Sequence, residues 1–394
     1  MMKKQIFIWM QSMHLGGAER SLIGLLESFD YSKVDVDLFL NIHEGELLNA
    51  IPNEVHLLPE NKKYRSLAEP IGMVVKKGCF LMAGSRLFAK LKARCKAPNA
   101  KNGGISGEYS HKYTKWLLPA VCPEKEYDLA ISFITPHYFV AEKVCAKKKL
   151  AWIHTDYQQI ALDVPSQLKM WAPYDGIVAV SDSVKQNFVE VFPAFKDKVF
   201  VVENILPEKS IRSQALEFVA EYAEEKCIKL LSIGRFCEAK NFENVPVIAK
   251  ELKRLGLDFK WYIIGYGATE AQIKENIQKE GVEENVYVLG KKANPYPYIE
   301  ACDVYVQPSR YEGKAVTVRE AQMLGKPVII TNFSTAKSQL EDGVDGIIVP
   351  LENIACAKGI YEFLLNEAFL QQISNIITMR NYGNKNELQK IMNF

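Results

Sequence analysis

The chain has 394 residues, too many for one hydrophobic core and enough for two domains of roughly 150–200 residues each. Its 48% apolar and 24% charged shares suit a soluble globular protein, and 23 Gly with 17 Pro exclude collagen-like and disordered chains. Forty-nine Lys and Arg against 47 Asp and Glu leave a net charge of +2, without the basic excess of a nucleic-acid binder, so no nucleic-acid partner is expected.

At the start, two lysines precede about six apolar residues, and Gln11 interrupts before any small-residue cleavage site. This reads as a first strand, Gln5–Met10, and not as a signal peptide or membrane span. A turn carrying Gly16 and Gly17 follows, then a helix over about 19–29. Further strands are predicted near 34–40, 128–133, 148–153, 176–180 and 198–202, and a helix starts at Ser181-Asp182-Ser183, where either serine serves as cap. Residues 60–115 break this rhythm. They hold 13 Lys and Arg against 3 acids, a net +10, so the rest of the chain sums to −8. Within them Arg86, Lys90, Lys92, Arg94 and Lys96 surround Leu87, Phe88 and Leu91, the pattern of a basic amphipathic stretch that docks on anionic lipid. A solvated helix face explains the same residues.

The strand–helix alternation resumes at Lys229–Ile233 and continues through strands near 259–264, 286–289, 303–307, 327–330 and 345–349. Helices are predicted over about 241–255, 270–279, 296–302 and 315–324, and the last 40 residues read as helical. The Glu-rich stretch 205–227, without strand character, is the expected interdomain connection. Two parallel α/β sheets are therefore expected, with ligands at the carboxyl ends of the strands. None of the eight cysteines lies two to four residues from another, so zinc spacing is absent and reduced thiols in a cytoplasmic setting are expected.

Four segments carry chemistry. In Tyr311-Glu312-Gly313-Lys314-Ala315-Val316, a strand gives way to a helix whose free amides suit a phosphate. Glu312 precedes that helix and Glu320 lies about two turns inside it. Glu320 suits a ribose diol and Glu312 a sugar hydroxyl; a solvated acid and a satisfied acid fit the spacing too. In Gly234-Arg235-Phe236-Cys237-Glu238-Ala239-Lys240, the two cations can converge on one anion and offset the charge of a diphosphate leaving group. A surface Arg and Lys near a loop is the plain alternative. Leu15-Gly16-Gly17-Ala18-Glu19-Arg20 permits close backbone approach but lacks the G-x-G-x-x-G dinucleotide spacing. His154, in Trp152-Ile153-His154-Thr155-Asp156, ends a strand, where a structural histidine is equally ordinary.

Taken together, these segments resemble glycosyltransferase family 4, the retaining nucleotide-sugar transferases of GT-B fold, and in particular those of bacterial capsule and exopolysaccharide synthesis. Glu312 and Glu320 match the family's E-x7-E, Arg235 and Lys240 its phosphate-binding pair, and Gly16-Gly17 its N-domain loop. Gly265-Tyr266-Gly267, Leu289-Gly290 and Ala301-Cys302-Asp303 match the framework around the nucleotide. The resemblance implies two Rossmann-like domains facing across a cleft, 1–204 and 205–374, with 375–394 returning to the first. It implies catalysis by Glu312, His154, Arg235 and Lys240, without metal or other cofactor. Donor contacts would come from Gly16, Gly17, Gly234, Gly265, Gly290, Lys291, Gly313, Lys314, Ala315, Val316 and Glu320, and acceptor contacts from Glu19, Arg20 and Asp156. The partners implied are a nucleotide sugar, UDP-linked by family habit, a polyprenyl-diphosphate-linked saccharide and an anionic membrane surface, at the inner face of the cytoplasmic membrane.

One departure is that Gly313-Lys314-Ala315 replaces the common G-F-G, which leaves sugar selectivity open. Asp35-Val36-Asp37 imitates the metal-binding DxD of the other glycosyltransferase fold but opens a strand far from any nucleotide framework. A nonhydrolysing nucleotide-sugar epimerase shares the paired-domain architecture, and a catalytically silent nucleotide-sugar sensor would share the binding residues.

Overall fold

Alternating apolar runs form strands wherever both faces are covered, because a parallel sheet flanked by helices leaves no strand face to water. The computed structural model describes residues 3–14, 16–96, 104–155, 157–158, 160–312 and 315–394. Contacts divide the chain into one unit of Met1–Pro207 with Asn384–Phe394 and a second of Glu208–Gly383.

In the first unit, the described strands are β1 (Lys4–Met10), β2 (Val34–Leu40), β3 (His56–Leu57), β4 (Tyr127–Ser132), β5 (Ala146–Ile153), β6 (Gly176–Ala179) and β7 (Val199–Val201). They pair in parallel in the order β3-β2-β1-β4-β5-β6-β7. β1 shows the period of two directly: Phe7 and Trp9 enter one core, while Ile6, Ile8 and Met10 enter the core on the opposite face. β3 is a two-residue edge strand with no periodic signal in the sequence. Ser181 caps the helix Asp182–Val191, its Oγ accepting the Val184 amide at 3.2 Å. The basic stretch folds as helices Lys62–Ala68, Ile71–Lys76, Phe80–Lys96 and Gly104–Thr114.

In the second unit, β8 (Ile228–Ile233), β9 (Phe259–Ile264), β10 (Val286–Gly290), β11 (Val304–Gln307), β12 (Val328–Thr331) and β13 (Ile347–Val349) pair in parallel as β10-β9-β8-β11-β12-β13. Residues 205–227 carry no strand but do hold a helix, Glu208–Ala215. In each sheet the order turns outward in both directions from one adjacent pair, β1 with β4 and β8 with β11. Loops leaving such a pair diverge to opposite sides, and the gap between them is where open α/β sheets hold ligands.

The first core encloses histidines that it keeps neutral. His137 is fully buried, its Nδ1 2.7 Å from Ser132 Oγ and its ring 4.5 Å from Trp171. Burial, with repulsion from His154 and His111, holds it well below the usual imidazole range. Burial also brings His111 down to about 4, reinforced by the Arg86 charge. The unfolded chain protonates His111 near pH 6.5 and the folded chain only near pH 4, and His137 is displaced in the same direction, so stability is whole above 6.5 and falls as pH drops below it. Chemical denaturation should therefore show the first unit losing on the order of 1–2 kcal/mol per buried histidine between pH 7 and 5. The loss should shrink in His137→Gln; an unfolding midpoint that does not move with pH would contradict it.

Candidate functional site

The second sheet's diverging pair puts the ends of β8 and β11 side by side. Two glycines set how closely the neighbouring loops approach. Gly265 has φ +152°, and a Cβ there would lie 1.9 Å from the Gly234 carbonyl oxygen. Gly267 has φ +153°, and its Cβ would lie 2.3 Å from the Phe236 carbonyl oxygen. Backbone therefore packs on backbone: the Phe236 amide donates to Tyr266 O at 2.9 Å and Gly234 N to Ile264 O at 3.0 Å. Gly234 supplies the wall against which the Lys240 chain lies, its Cβ position 3.2 Å from Lys240 Cε.

Lys240 reaches across from the β8 loop to the β11 loop, where its Nζ meets the Glu312 carboxylate. Both side chains are largely enclosed, 20% and 10% exposed. Ser309 Oγ donates to the same Glu312 oxygen at 2.7 Å, and Gln307 Nε2 donates to Ser309 Oγ at 2.9 Å. Tyr305 Oη lies 2.7 Å from Gln307 Oε1, 2.8 Å from Thr317 Oγ1 and 3.3 Å from the Ile233 amide, which ties the network back to the end of β8. Thr335 Oγ1 donates to the Glu312 carbonyl at 2.6 Å, and the Arg310 amide to Ala239 O at 2.8 Å. The carboxylate is thus held by a chain of buried polar groups, each with a partner.

Other expected residues stand differently. Arg235 is exposed and makes no ion pair among the described residues. Glu320 is fully buried in the helix Val316–Met323 and accepts from Tyr296 Oη at 3.0 Å. Ala315 and Val316 sit at that helix's start, but the Ala315 amide already donates to Gln339 Oε1 at 2.9 Å. The amides of Val316 and Thr317 lie in the first turn, where no intrahelical carbonyl is available. Gly290 ends β10 at φ +71°, and Lys291 places its ammonium 5.4 Å from the Tyr266 ring centroid. Gly313 and Lys314 lie outside the described residues.

In the first unit, Gly16 precedes the helix Gly17–Ser28, and Gly17 is exposed. The Glu19 carboxylate folds back over Gly16, where a Cβ would lie 2.2 Å from Oε2. Burial raises the Glu19 carboxyl above its usual range, with its own backbone amide and His14 opposing. The Arg20 amide bonds Gly16 O at 3.1 Å. His154 follows β5 and packs against Phe133, with ring centroids 4.9 Å apart and Nε2 unpartnered among the described residues. Burial brings it down to about 4, so it is neutral at pH 7. Asp156 lies outside the described residues. Of the DxD-like pair, Asp37 is an internal anchor, bonded by Lys125 at 2.8 Å, His56 at 3.0 Å and Tyr127. Asp35 meets Lys3 at 3.1 Å and Gln5 at 2.8 Å. Among the described residues no cluster of three or more His, Cys, Asp or Glu is arranged to hold a metal ion.

Residues 214–379, which include this network, match the family described as Glycosyl transferases group 1. Among solved structures, a glycosyltransferase from Rickettsia africae ESF-5 has TM-score 0.65 at 18% identity, covering 99% of this chain and 97% of that one. Anabaena HepE in complex with UDP gives 0.65 at 17% identity over 99% and 98% of the two chains. A variant of S. aureus TarM in complex with fondaparinux, alpha-GlcNAc-glycerol and UDP gives 0.67 at 13% identity over 99% of each. The chain has the GT-B fold.

By sequence, this GT-B chain is similar to curated bacterial transferases. One is the Campylobacter jejuni N-acetylgalactosamine-N,N'-diacetylbacillosaminyl-diphospho-undecaprenol 4-alpha-N-acetylgalactosaminyltransferase, 28% identical over 45% of this chain and 47% of that protein. The amylovoran biosynthesis glycosyltransferase AmsK of Erwinia amylovora is 30% identical over 62% and 64%. The capsular polysaccharide biosynthesis glycosyltransferase CapM of Staphylococcus aureus is 25% identical over 55% and 58%. The matches thus span 47–64% of these relatives' own length.

Sequence reasoning did not single out Ser309, Gln307, Tyr305, Thr317 or Gln339, whose importance comes only from what the GT-B topology brings together. Part of the signal is the period of two in β11, which turns Tyr305 and Gln307 to the same face. The glycine contacts give a stability test. Gly265→Ala should cost about 2 kcal/mol or more in thermal unfolding, from left-handed backbone and a direct clash. Gly281→Ala, at φ +66° with nothing within 4 Å of the new Cβ, should cost roughly 1 kcal/mol. Equal losses would mean that close packing on Gly234 is not what fixes Gly265.

Proposed function

We propose that the protein is a retaining glycosyltransferase. It moves a sugar from a nucleoside-diphosphate sugar, UDP-linked, to a lipid-linked saccharide during assembly of a bacterial surface polysaccharide. The observation that carries this reading is the Lys240–Glu312 pair at the β8–β11 gap, beside a helix start inside the segment matching Glycosyl transferases group 1. The names of the relatives support the class of acceptor and product, and the UDP in HepE and TarM supports the nucleotide.

The chemistry follows from charge. As the anomeric carbon–oxygen bond breaks, negative charge grows on the leaving diphosphate. Lys240 and Arg235, with the Val316 and Thr317 amides, would neutralise it, a fixed arrangement that needs no reorganisation at the moment of reaction. A diphosphate carries more charge than one carboxylate and would draw Lys240 from Glu312, leaving that carboxylate for the sugar hydroxyls. The acceptor oxygen then bonds the anomeric carbon on the face the diphosphate leaves, and its proton passes to a diphosphate oxygen. Glu320 would hold the ribose by accepting its hydroxyls in place of Tyr296 Oη. Neutral His154 is suited to hydrogen bonding and not to charge stabilisation.

Release of nucleoside diphosphate from a panel of UDP- and GDP-sugars, with and without mixed lipid-linked saccharides, tests this. Acceptor-dependent release from one donor is expected, falling about 10²–10³-fold in Glu312→Gln and Lys240→Ala. Isomerisation of the donor without acceptor would instead mean an epimerase, and saturable donor binding without turnover under every acceptor a sensor.

Membrane association belongs to the same reading. No described helix is long and apolar enough to cross a membrane. The helix Phe80–Lys96 instead exposes Phe80, Leu81, Leu87, Phe88 and Leu91 beside Lys90, Lys92 and Arg94. Leu81 is 73% exposed, and a row of large apolar side chains in solvent supports this reading over a solvated polar face. Arg86 departs from the expected pattern: it turns inward, its guanidinium donating to the Ser66 and Glu69 carbonyls. Each basic side chain near an anionic surface contributes about 1 kcal/mol, so Lys92→Gln with Arg94→Gln should weaken vesicle binding about tenfold or more. Leu87→Gln with Leu91→Gln should weaken it further, and unchanged sedimentation with phosphatidylglycerol vesicles would remove the membrane from the account.

A further inference from the structure

The first sheet has its own diverging pair, β1 with β4, and a cavity of about 680 Å³ opens at their carboxyl ends, lined there by Gln11, Thr135 and Pro136. Its other walls come from the helical insertion, from Tyr157, Ile160 and Leu162 after β5, and from the helix Val164–Trp171. Such a volume is that of a small-molecule site, at the position where the topology of an open α/β sheet places one.

The polar groups of this cavity are unequally satisfied. Glu108 is already engaged, its two oxygens accepting from Tyr138 Oη and Gln167 Nε2, each at 2.9 Å. Arg86 and Lys90 are one helical repeat apart and therefore share a face of the helix Phe80–Lys96. Both line the cavity. Arg86 bonds two carbonyls through one nitrogen, Nη1, while its Nε is buried without a partner among the described residues. His111 also lines the cavity, only 6% exposed, and its Nδ1 has no partner among the described residues. Ser110 adds a hydroxyl beside it. Both nitrogens are shielded from solvent behind the cavity wall; each left unsatisfied costs free energy, which a bound acceptor group recovers once the side chain turns to meet it.

We propose that this cavity binds a phosphoryl or diphosphoryl group, held by Arg86, Lys90 and His111. A guanidinium, an ammonium at the rim and a neutral imidazole N–H supply several donors from different directions, a set that matches the several oxygens of one phosphate. Glu108 is the one acid among the lining residues, and the two cations Arg86 and Lys90 outnumber it. The group can arrive on a soluble phosphate or on an isoprenoid lipid, whose chain would meet the exposed Phe80, Leu81 and Leu87 of the same helix. Identifying it with the lipid diphosphate of the acceptor rests on the transferase reading; the phosphoryl site itself does not.

The test follows the His111 imidazole by NMR in the full-length, histidine-labelled protein, with the signal assigned from His111→Gln. Inorganic pyrophosphate and farnesyl diphosphate are titrated separately. Repeating the titration in Lys240→Ala separates this site from diphosphate binding beside Lys240: the His111 shift should persist there. A saturable shift is expected with at least one probe, weakened about tenfold in Lys90→Gln, which removes an exposed side chain and leaves the fold. Arg86→Gln should weaken it further where its unfolding midpoint is unchanged. Tighter binding of farnesyl diphosphate would assign the group to a lipid, and equal binding to a soluble phosphate. A His111 signal that neither probe moves, or one that Lys90→Gln leaves equally responsive, would overturn the proposal.

Discussion

In a parallel sheet every strand must end at the same edge, and everything chemical about this protein depends on that constraint. Lys240 and Glu312 are 72 residues apart in the chain, yet they meet because β8 and β11 are neighbours that leave the sheet in opposite directions. No local rule of sequence brings them together. The strand order does so, and it in turn follows from apolar strands that must be covered on both faces.

The sheets themselves were legible because β-branched and aromatic runs of four to eight residues, spaced by helical stretches, admit few other folds. Strand 259–264 matches β9 residue for residue, and the other strands fall within a few residues of their expected bounds. What escaped is what lacks period. β3 has two residues and is defined only by its pairing with β2. The site shows the same division. Glu312, Lys240 and the glycines stand out by residue type, but their partners Ser309, Gln307 and Tyr305 are ordinary strand-end residues until the fold aligns them. Spacing suggests that Arg235 and Lys240 can share one target; it does not suggest that Lys240 turns inward to Glu312 while Arg235 stays exposed.

The basic insertion shows why charge counts mislead about individual residues. Arg86, Lys90 and Lys92 look equivalent in sequence, yet helix geometry gives them different tasks. Ala83, Ala89 and Ala93 are small and buried, so this face lies close to its neighbours and leaves Arg86 near enough to bond the backbone of Ser66 and Glu69. The opposite face carries large apolar side chains into solvent. One helix is therefore both an inner wall and an outer surface, the inner one marked by three alanines with Met82 beside them.

The segment Asn384–Phe394 belongs to the first unit although the whole second unit precedes it in the chain. Leu388 and Ile391 lie in the core around β1, Glu387 accepts the Glu203 amide at 2.8 Å, and Phe394 stacks on Phe200 at 5.6 Å. A ribosome that has reached residue 383 has therefore supplied every residue of the second unit but not of the first. The part of the chain made earliest is the last whose core can close. Until then the core around β1 lacks Leu388 and Ile391, and apolar surface left uncovered in that interval is what chaperones bind and aggregation uses.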